Sequence, residues 1–132
     1  MNPFQAVICG GLAILFPMKH GNIFSFGGAD DSGKPEFFET LLKFSGTGRV
    51  ERIYSEPYSD GQWYDQDEDE FVLLLSGESV LEFADSSKLE LGAGDWLVID
   101  RRTAHRVVRT SDNPRCVWLT VFGDFSEMSA NL

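Results

Sequence analysis

The hydrophobic pattern of the chain consists of short apolar or alternating segments separated by clusters of Gly, Ser, Asp and Pro, and helical periodicity is hard to find. Such a pattern is typical of an all-β sandwich or barrel. The predicted strands lie near residues 7–16, 37–44, 50–55, 62–64, 70–75, 79–84, 88–91, 96–99, 105–109 and 116–122. The sequence therefore predicts an all-β fold of many short strands.

The length of the chain suits one domain, because 132 residues fall within the usual size of a single hydrophobic core. We expect a leader or extra strand at residues 1–20, the folded domain at 21–125 and a C-terminal tail at 126–132. The apolar run at residues 6–16 is too short to span a bilayer and lacks the flanking features of a signal peptide. It is interpreted either as an ordered extra strand or as residues upstream of a natural start at Met18.

The composition is acidic, with 21 Asp and Glu against 11 Lys and Arg and a formal net charge of −10. This charge repels nucleic-acid backbones and anionic membrane surfaces, so neither is an expected partner. The two cysteines, Cys9 and Cys116, are far apart and have no C-x-x-C spacing, which favours two buried thiols over a disulfide or zinc module. We therefore expect a globular protein in a reducing cytoplasm.

An acidic stretch stands directly before an apolar segment, in the sequence WYDQDEDEFVLLLSG at residues 63–77. Strand alternation places Glu70, Val72 and Leu74 on one face of the predicted strand. A carboxylate on a buried face requires a cation or another hydrogen-bonding partner. The other acids are interpreted as a solvated loop whose charges keep the strand edge from pairing with another chain. They are Asp65, Asp67, Glu68 and Asp69.

Two motifs in this part of the chain resemble those of the cupin superfamily. The first motif begins with a glycine and an H-x-H pair. Three or four residues later it has a glutamate, which is followed by six residues and a second glycine. Glu70 and Gly77 match this glutamate and the second glycine. The second, G-x5-P-x-G-x2-H-x3-N, is matched by Gly94 and His105. The stretch WYDQDEDEFVLLLSGE also looks like that of small single-domain bacterial cupins. The resemblance implies a double-stranded β-helix, or jelly-roll, barrel of two antiparallel sheets with a pocket between them, and often a dimer.

The ligand positions are where the sequence departs from the family pattern. Tyr64 and Gln66 stand where the H-x-H pair would be. In the second motif Asp100, Arg102 and Arg109 replace the proline, the glycine and the asparagine. The framework of the motifs is therefore kept, while the ligand set is altered.

A divalent metal is implied by the resemblance, because metal-bearing cupins bind one at these positions. The implied ligands are Gln66, Glu70 and His105, with Tyr64 or Asp65 as a further donor. Imidazole and carboxylate suit Fe, Mn, Ni or Zn. A phenol must lose a proton with a pKa of about 10, and an amide oxygen is neutral, so both are weaker ligands than imidazole.

Two arginines are further candidates for the pocket. Alternation places Arg109 on the face of His105, and we expect Arg109 and Arg52 to point into the same pocket. There, each could pair with Glu70 or grip a carboxylate of a ligand. The predicted ligand pocket comprises Arg52, Tyr64, Gln66, Glu70, His105 and Arg109.

The leading functional hypothesis is a cytoplasmic bacterial cupin, forming a homodimer, that binds a small polar ligand in its barrel with or without a metal. The first alternative is a metal-dependent enzyme, such as an oxygenase or isomerase, that uses Glu70 and His105. The second alternative is a binding or regulatory module without chemistry. The sequence contains no G-x-S-x-G, P-loop or dinucleotide fingerprint, and it leaves catalysis open.

Overall fold

The structure is a computed structural model that describes residues 5–9, 12–16, 19–25, 36–57 and 60–125, with the backbone alone for the first two ranges. The chain divides into two compact units, Met1–Asp31 and Ser32–Leu132. The predicted domain boundary after residue 20 stays a prediction, and the predicted tail at 126–132 lies outside the described residues. Within the described ranges, no helix is long and apolar enough to cross a membrane.

The first unit contains an antiparallel pair of strands, β1 (Gln5–Cys9) and β2 (Leu12–Phe16). The prediction of one strand over residues 7–16 is therefore wrong, because the apolar run is divided into two strands that pair over their full lengths. The residues between the strands are Gly10 and Gly11.

The described residues of the second unit form eight strands. They are β3 (Glu36–Lys43), β4 (Arg49–Ser55), β5 (Asp69–Ser76), β6 (Glu78–Phe83), β7 (Lys88–Gly92), β8 (Trp96–Ile99), β9 (His105–Thr110) and β10 (Val117–Gly123). The larger sheet has the order β3-β4-β10-β5-β8, and the smaller sheet has the order β7-β6-β9. All of these neighbours are antiparallel. The predicted all-β jelly-roll of two antiparallel sheets is confirmed.

Side-chain alternation along the strands separates a buried inner face from an outer one. On β5, Val72 and Leu74 are 5% and 0% exposed, as the alternation predicts. They belong to one apolar cluster with Leu81 of β6 and Trp118 of β10, whose indole Nε1 donates to Ser55 Oγ at 3.2 Å. The cluster joins both sheets, so its burial is the main force that holds them together. Its members are Ile53, Val72, Leu74, Leu81, Leu91, Ile99, Cys116 and Trp118.

The predicted strands of the second unit agree with the observed ones to within one residue at each end, with one exception. The exception is the segment 62–64, which forms no strand. Tyr64 instead makes an isolated bridge with His105. The Tyr64 amide donates to the His105 carbonyl at 2.8 Å, and the His105 amide donates to the Tyr64 carbonyl at 3.0 Å. The segment is thereby fastened to the start of β9.

Cys116 is a buried free thiol, as predicted. Its Sγ donates to the Glu78 carbonyl at 3.1 Å, and burial raises the pKa of the thiol. A buried thiol with a raised pKa is a poor nucleophile, so Cys116 serves as a core residue. The side chain of Cys9 lies outside the described residues.

Gly77 forms the tight connection between β5 and β6 and has a φ angle of +88°. A Cβ atom at this position would lie 2.8 Å from Ser111 Oγ and 2.9 Å from backbone atoms of Cys116. Gly94, in the turn between β7 and β8, also has a positive φ angle, of +95°, but a Cβ there would have nothing within 4 Å. Gly77 is therefore required for both its conformation and its space, and Gly94 for its conformation alone.

Substitution of Gly77 by Ala is expected to lower the free energy of unfolding by about 2 to 4 kcal/mol, because left-handed backbone strain adds to overpacking. Gly94→Ala is the matched control, with an expected loss of about 1 kcal/mol from strain alone. Urea unfolding followed by circular dichroism measures both. Equal losses in the two variants would contradict the steric part of the argument.

Asp69 was expected in a solvated loop, and this prediction is wrong. The side chain is 5% exposed at the start of β5. Its carboxylate accepts the backbone amides of Arg101 at 2.8 Å and Phe125 at 3.0 Å, and the Arg101 guanidinium at 3.1 Å. The Arg101 side chain and the two amides lower the pKa of Asp69 to about 2. Asp69 therefore ties β5 to the turn after β8 and to the residues that follow β10.

Substitution of Asp69 by Asn is expected to destabilise the protein by about 2 kcal/mol at neutral pH. The folded pKa of Asp69 lies below its ordinary value of 3.8, so its contribution is complete above about pH 4 and is lost as the pH falls toward 2. Chemical unfolding of the wild type and the variant should therefore be measured at pH 7, 4 and 3. The difference between their free energies of unfolding is expected to become smaller as the pH falls. A difference that does not change with pH would contradict the ionic role of Asp69.

Candidate functional site

A cavity of about 250 Å³ lies between the two sheets of the second unit. Its floor is apolar and receives side chains from both sheets. The floor consists of Ile53, Val72, Leu81, Ile99, Val107 and Trp118. Polar side chains enter the cavity from several strands and from the segment before β5. They are Glu36, Arg49, Glu51, Tyr64, Gln66, Glu70, His105 and Thr120, and Phe38 and Phe122 complete the lining.

Glu70 and His105 form an ion pair on the wall of this cavity. His105 Nε2 lies 3.4 Å from Glu70 Oε2, and both residues are 6% exposed. Glu70 faces inward with Val72, as strand alternation predicts, and His105 is the first residue of β9. Gln66 Nε2 donates to the same oxygen of Glu70 at 2.8 Å. One carboxylate oxygen therefore holds both an imidazole and an amide.

The imidazole of His105 is oriented by a second hydrogen bond, from Nδ1 to the Thr103 carbonyl at 2.8 Å. Because a carbonyl can only accept, Nδ1 carries a proton. Burial disfavours a charge on the ring, but the bonds to Glu70 and to Thr103 outweigh burial, so the pKa of His105 is raised. When it is protonated, the ring donates from both nitrogens, and its charge then balances Glu70.

The segment that carries Tyr64 and Gln66 is also held by the turn before β9. The Arg102 amide donates to the Gln66 carbonyl at 2.8 Å, and the Arg102 guanidinium lies 3.2 Å from Asp65 and 3.4 Å from Asp67. Arg102 has a φ angle of +59°, where the motif has a glycine, so an arginine here adopts a conformation that favours glycine. The ion pair directs the Asp65 carboxylate to Arg102, and Asp65 does not line the cavity.

Tyr64 connects the edges of the two sheets. Its hydroxyl donates to Glu36 Oε2 at 3.2 Å. Glu36 begins β3 at one edge of the larger sheet, while Tyr64 is fastened to β9 at one edge of the smaller sheet. Burial, together with the negative charge of Glu36, raises the pKa of Tyr64 to about 12. The phenol therefore stays protonated and acts as a donor.

A second polar group in the cavity was missed by the sequence analysis. Arg49 donates from Nε to Glu51 Oε1 at 2.9 Å and from Nη1 to Glu68 Oε1 at 2.5 Å, and its guanidinium lies 4.0 Å from the centre of the Phe122 ring. Alternation along β4 groups Arg49 and Glu51 with the buried Ile53, so the pattern contained a signal for them. The prediction of a solvated Glu68 is wrong, because its side chain is 18% exposed and paired.

Arg52 and Arg109 do not line the cavity, contrary to the prediction. Arg52 lies on the opposite face of β4, where it pairs with Glu39. In the pairing of β6 with β9, a β-bulge places the exposed Arg109 opposite Val80 and breaks the alternation that starts at His105. One extra residue in a strand reverses the face of the residues beyond it. The other four predicted pocket residues line the cavity, and they are Tyr64, Gln66, Glu70 and His105.

Two antiparallel sheets around a cavity that receives Gln66 and Glu70 from the first motif and His105 from the second define a cupin-type domain. The family model described as the cupin domain matches residues 45–122. The chain belongs to the cupin family.

Solved structures with the same fold support this assignment. A protein from Ralstonia eutropha JMP134, provisionally named mannose-6-phosphate isomerase, is 37% identical, with 81% of this chain and 99% of that chain covered and a TM-score of 0.66. KdgF from Halomonas sp. is 15% identical, with 76% and 91% covered and a TM-score of 0.58. Hydroxypropylphosphonic acid epoxidase from S. wedmorenis is 12% identical, with 67% and 51% covered and a TM-score of 0.61. At such low identities the last two share the fold alone. No curated protein matches the chain significantly.

The residues at the family's metal positions form a weak donor set for the implied metal. His105 Nε2 and the Glu70 carboxylate are suitable ligands, but the Tyr64 phenol stays protonated and Gln66 is a neutral amide that donates to Glu70. In the part of the chain that the structure describes, no group of three His, Cys, Asp or Glu side chains is placed to hold a metal ion. The donor set therefore fits a transition metal poorly, and a metal held by Gln66, Glu70 and His105 stays a prediction.

Proposed function

We propose that this cupin binds a small polar organic ligand in the cavity between its sheets, with the Glu70–His105 pair as the polar anchor. The observation that supports this function is a buried ion pair, 3.4 Å long, beside an apolar floor. Mostly apolar pockets with a few convergent polar groups are the usual form of small-molecule sites. A volume of about 250 Å³ suits a ligand smaller than a typical drug molecule.

Stability alone does not account for the pair. Each charge removed from water costs several kcal/mol, and replacement of a buried ion pair by apolar side chains of similar volume is often neutral or stabilising. Val72 and Leu81, which line the same cavity, show that aliphatic side chains pack well in this part of the fold. A polar pair at this position therefore supports a role in binding, in which His105 supplies a donor and Glu70 an acceptor.

Screening of the purified protein against a library of small polar compounds tests the proposal, by thermal shift and ligand-observed NMR. The provisional name of the relative from Ralstonia eutropha makes sugars and sugar phosphates obvious members of the library. We expect ligands whose affinity falls about tenfold or more in Glu70→Gln, since a hydrogen bond to a charged group contributes about 1.5 to 3 kcal/mol. Val72→Phe, which fills the cavity, should also abolish binding.

Val98→Phe is the matched control for Val72→Phe. Val98 lies on the outer face of β8 and is 37% exposed, so the same added ring leaves the cavity unchanged. Circular dichroism establishes that each variant is folded. If no compound binds the wild type, or if the binding is unaffected by both Glu70→Gln and Val72→Phe, the proposed function is wrong.

A metal-dependent reaction at Glu70 and His105 is the second candidate. It is favoured by the hydrogen bond from His105 Nδ1 to a backbone carbonyl, an arrangement typical of metal-ligating histidines. One structural neighbour, at 13% identity, is described as Fe(II)-HppE. The weak donors Tyr64 and Gln66 count against it, because they replace two imidazoles with a phenol and an amide.

Metal analysis by mass spectrometry, before and after incubation with Fe(II), Mn(II), Ni(II) or Zn(II), decides between the candidates. We expect the protein to retain less than one equivalent of each metal after desalting. His20→Ala, which removes an exposed histidine outside the cavity, is the control for adventitious binding. One full equivalent that persists in His20→Ala and disappears in His105→Ala would instead favour the metal-dependent candidate.

The remaining proposals concern partners and location, and they rest on the sequence. We propose a homodimer in the cytoplasm without nucleic-acid or membrane partners, in agreement with the acidic composition and the cupin resemblance. Sedimentation equilibrium measures the oligomeric state.

A further inference from the structure

We infer that the cavity accepts an uncharged, hydroxyl-rich ligand of monosaccharide size and discriminates against phosphate esters of the same compound. This inference rests on the proposed binding function and specifies the class of ligand. Three features of the cavity support it. They are the carboxylate oxygens that remain available as hydrogen-bond acceptors, the distance between these acceptors, and the pairing of the cationic groups.

Two inward-facing carboxylates each keep one oxygen available. Glu70 Oε2 takes the bonds from Gln66 and His105, and Oε1 has no partner among the described residues. Glu51 Oε1 takes the bond from Arg49, and Oε2 likewise has none within the described ranges. No fully buried side-chain N or O atom in those ranges lacks a partner, so both oxygens are accessible. A ligand must therefore supply hydrogen-bond donors.

The strand pairing sets the distance between these two acceptors. Glu51 of β4 lies opposite Thr120 of β10, and Thr120 lies opposite Val72 of β5, two residues after Glu70. Two strand spacings of about 4.8 Å and a two-residue step of about 6.8 Å place the Cα atoms of the two glutamates roughly 12 Å apart. Because both side chains extend into the cavity from these positions, one compact molecule can reach both.

The wall beside these acceptors is apolar. Trp118 uses its indole N–H in the bond to Ser55, so its ring presents carbon atoms to the cavity. A ligand that has C–H faces and hydroxyl groups at its edges matches such a wall. Its hydroxyls meet the carboxylates, and its C–H groups meet the indole ring of Trp118.

The cationic groups of the cavity are already paired. Arg49 lies between Glu51 and Glu68, and His105 faces Glu70. Three glutamates line the cavity against one arginine and one histidine, in a protein with a formal net charge of −10. A phosphate group would have to displace a carboxylate from its cation or lie beside carboxylates without a cation of its own.

An ammonium group is also a donor, but it suits the cavity less well than a hydroxyl. Each accessible carboxylate already has a cationic partner, so a further charge would be desolvated above an apolar floor without a full counter-charge. Burial of an incompletely paired charge costs more than burial of a bonded hydroxyl. The available oxygens are therefore matched by neutral donors.

Isothermal titration calorimetry with D-mannose, D-glucose, D-fructose and D-mannitol, their 6-phosphates, and D-mannosamine and D-glucosamine tests this inference. At least one uncharged compound should bind, its 6-phosphate at least tenfold more weakly, and its amino form no more tightly. Glu51→Gln should weaken the uncharged ligand and reduce the discrimination against its phosphate. Glu90→Gln, an exposed position on β7, is the control and should change neither.

The outcomes separate this inference from the proposed function. A phosphate ester or an amino sugar that binds as tightly as its uncharged parent overturns the inference and leaves a binding function in place. The inference also fails if the compound library yields a ligand that depends on Glu70 but none of the uncharged sugars and polyols binds. Failure of every compound, in the library and in this panel, overturns both.

Discussion

Alternation of side chains across the paired strands β4, β10 and β5 is the constraint on which the second unit depends. Leu74 and Trp118 lie opposite each other at 0% and 4% exposure, and they fix which face of each strand is buried. A slip of one residue would bring Phe71 into the cavity and turn Glu70 outward. The hydrophobic core therefore also determines the position of the site, because the same register buries Leu74 and aims Glu70.

The charges around the cavity follow from this register. The acidic stretch that begins at Asp65 is a set of separate attachments, since its members meet cations on different elements. The pairs are Asp65 and Asp67 with Arg102, Glu68 with Arg49, Asp69 with Arg101, and Glu70 with His105. The stretch thereby connects β4, the turn after β8 and the start of β9. A run of acids in sequence therefore forms attachments to several separate elements, which explains its position immediately before a buried strand.

Local sequence patterns predicted most of the strands and about half of the polar residues that line the cavity. Strand positions and the inward direction of Glu70 depend on period-2 alternation, which is visible in the sequence. The pairing of Asp69 with Arg101 joins residues 32 positions apart, and no local pattern predicts such a contact. Arg109 was predicted on the face of His105 because regular alternation along β9 was assumed. The β-bulge that interrupts this alternation has no clear sequence signature. Arg52 was predicted in the pocket, and Arg49 was not considered, because alternation defines two faces of β4 without saying which one lines the cavity.

The departure from the cupin ligand pattern is coherent when the four positions are considered together. With imidazoles at the first two positions, the glutamate would have a metal as its cation. Here Gln66 donates to Glu70, the His105 imidazole lies 3.4 Å from the same carboxylate, and Tyr64 bonds to Glu36 across the gap between the sheets. The loss of two imidazoles is thus accompanied by hydrogen bonds that satisfy the remaining carboxylate. Because each replacement supports the others, restoration of a single histidine would leave one of the two imidazoles missing and would not recreate the ligand set of a metal-bearing cupin.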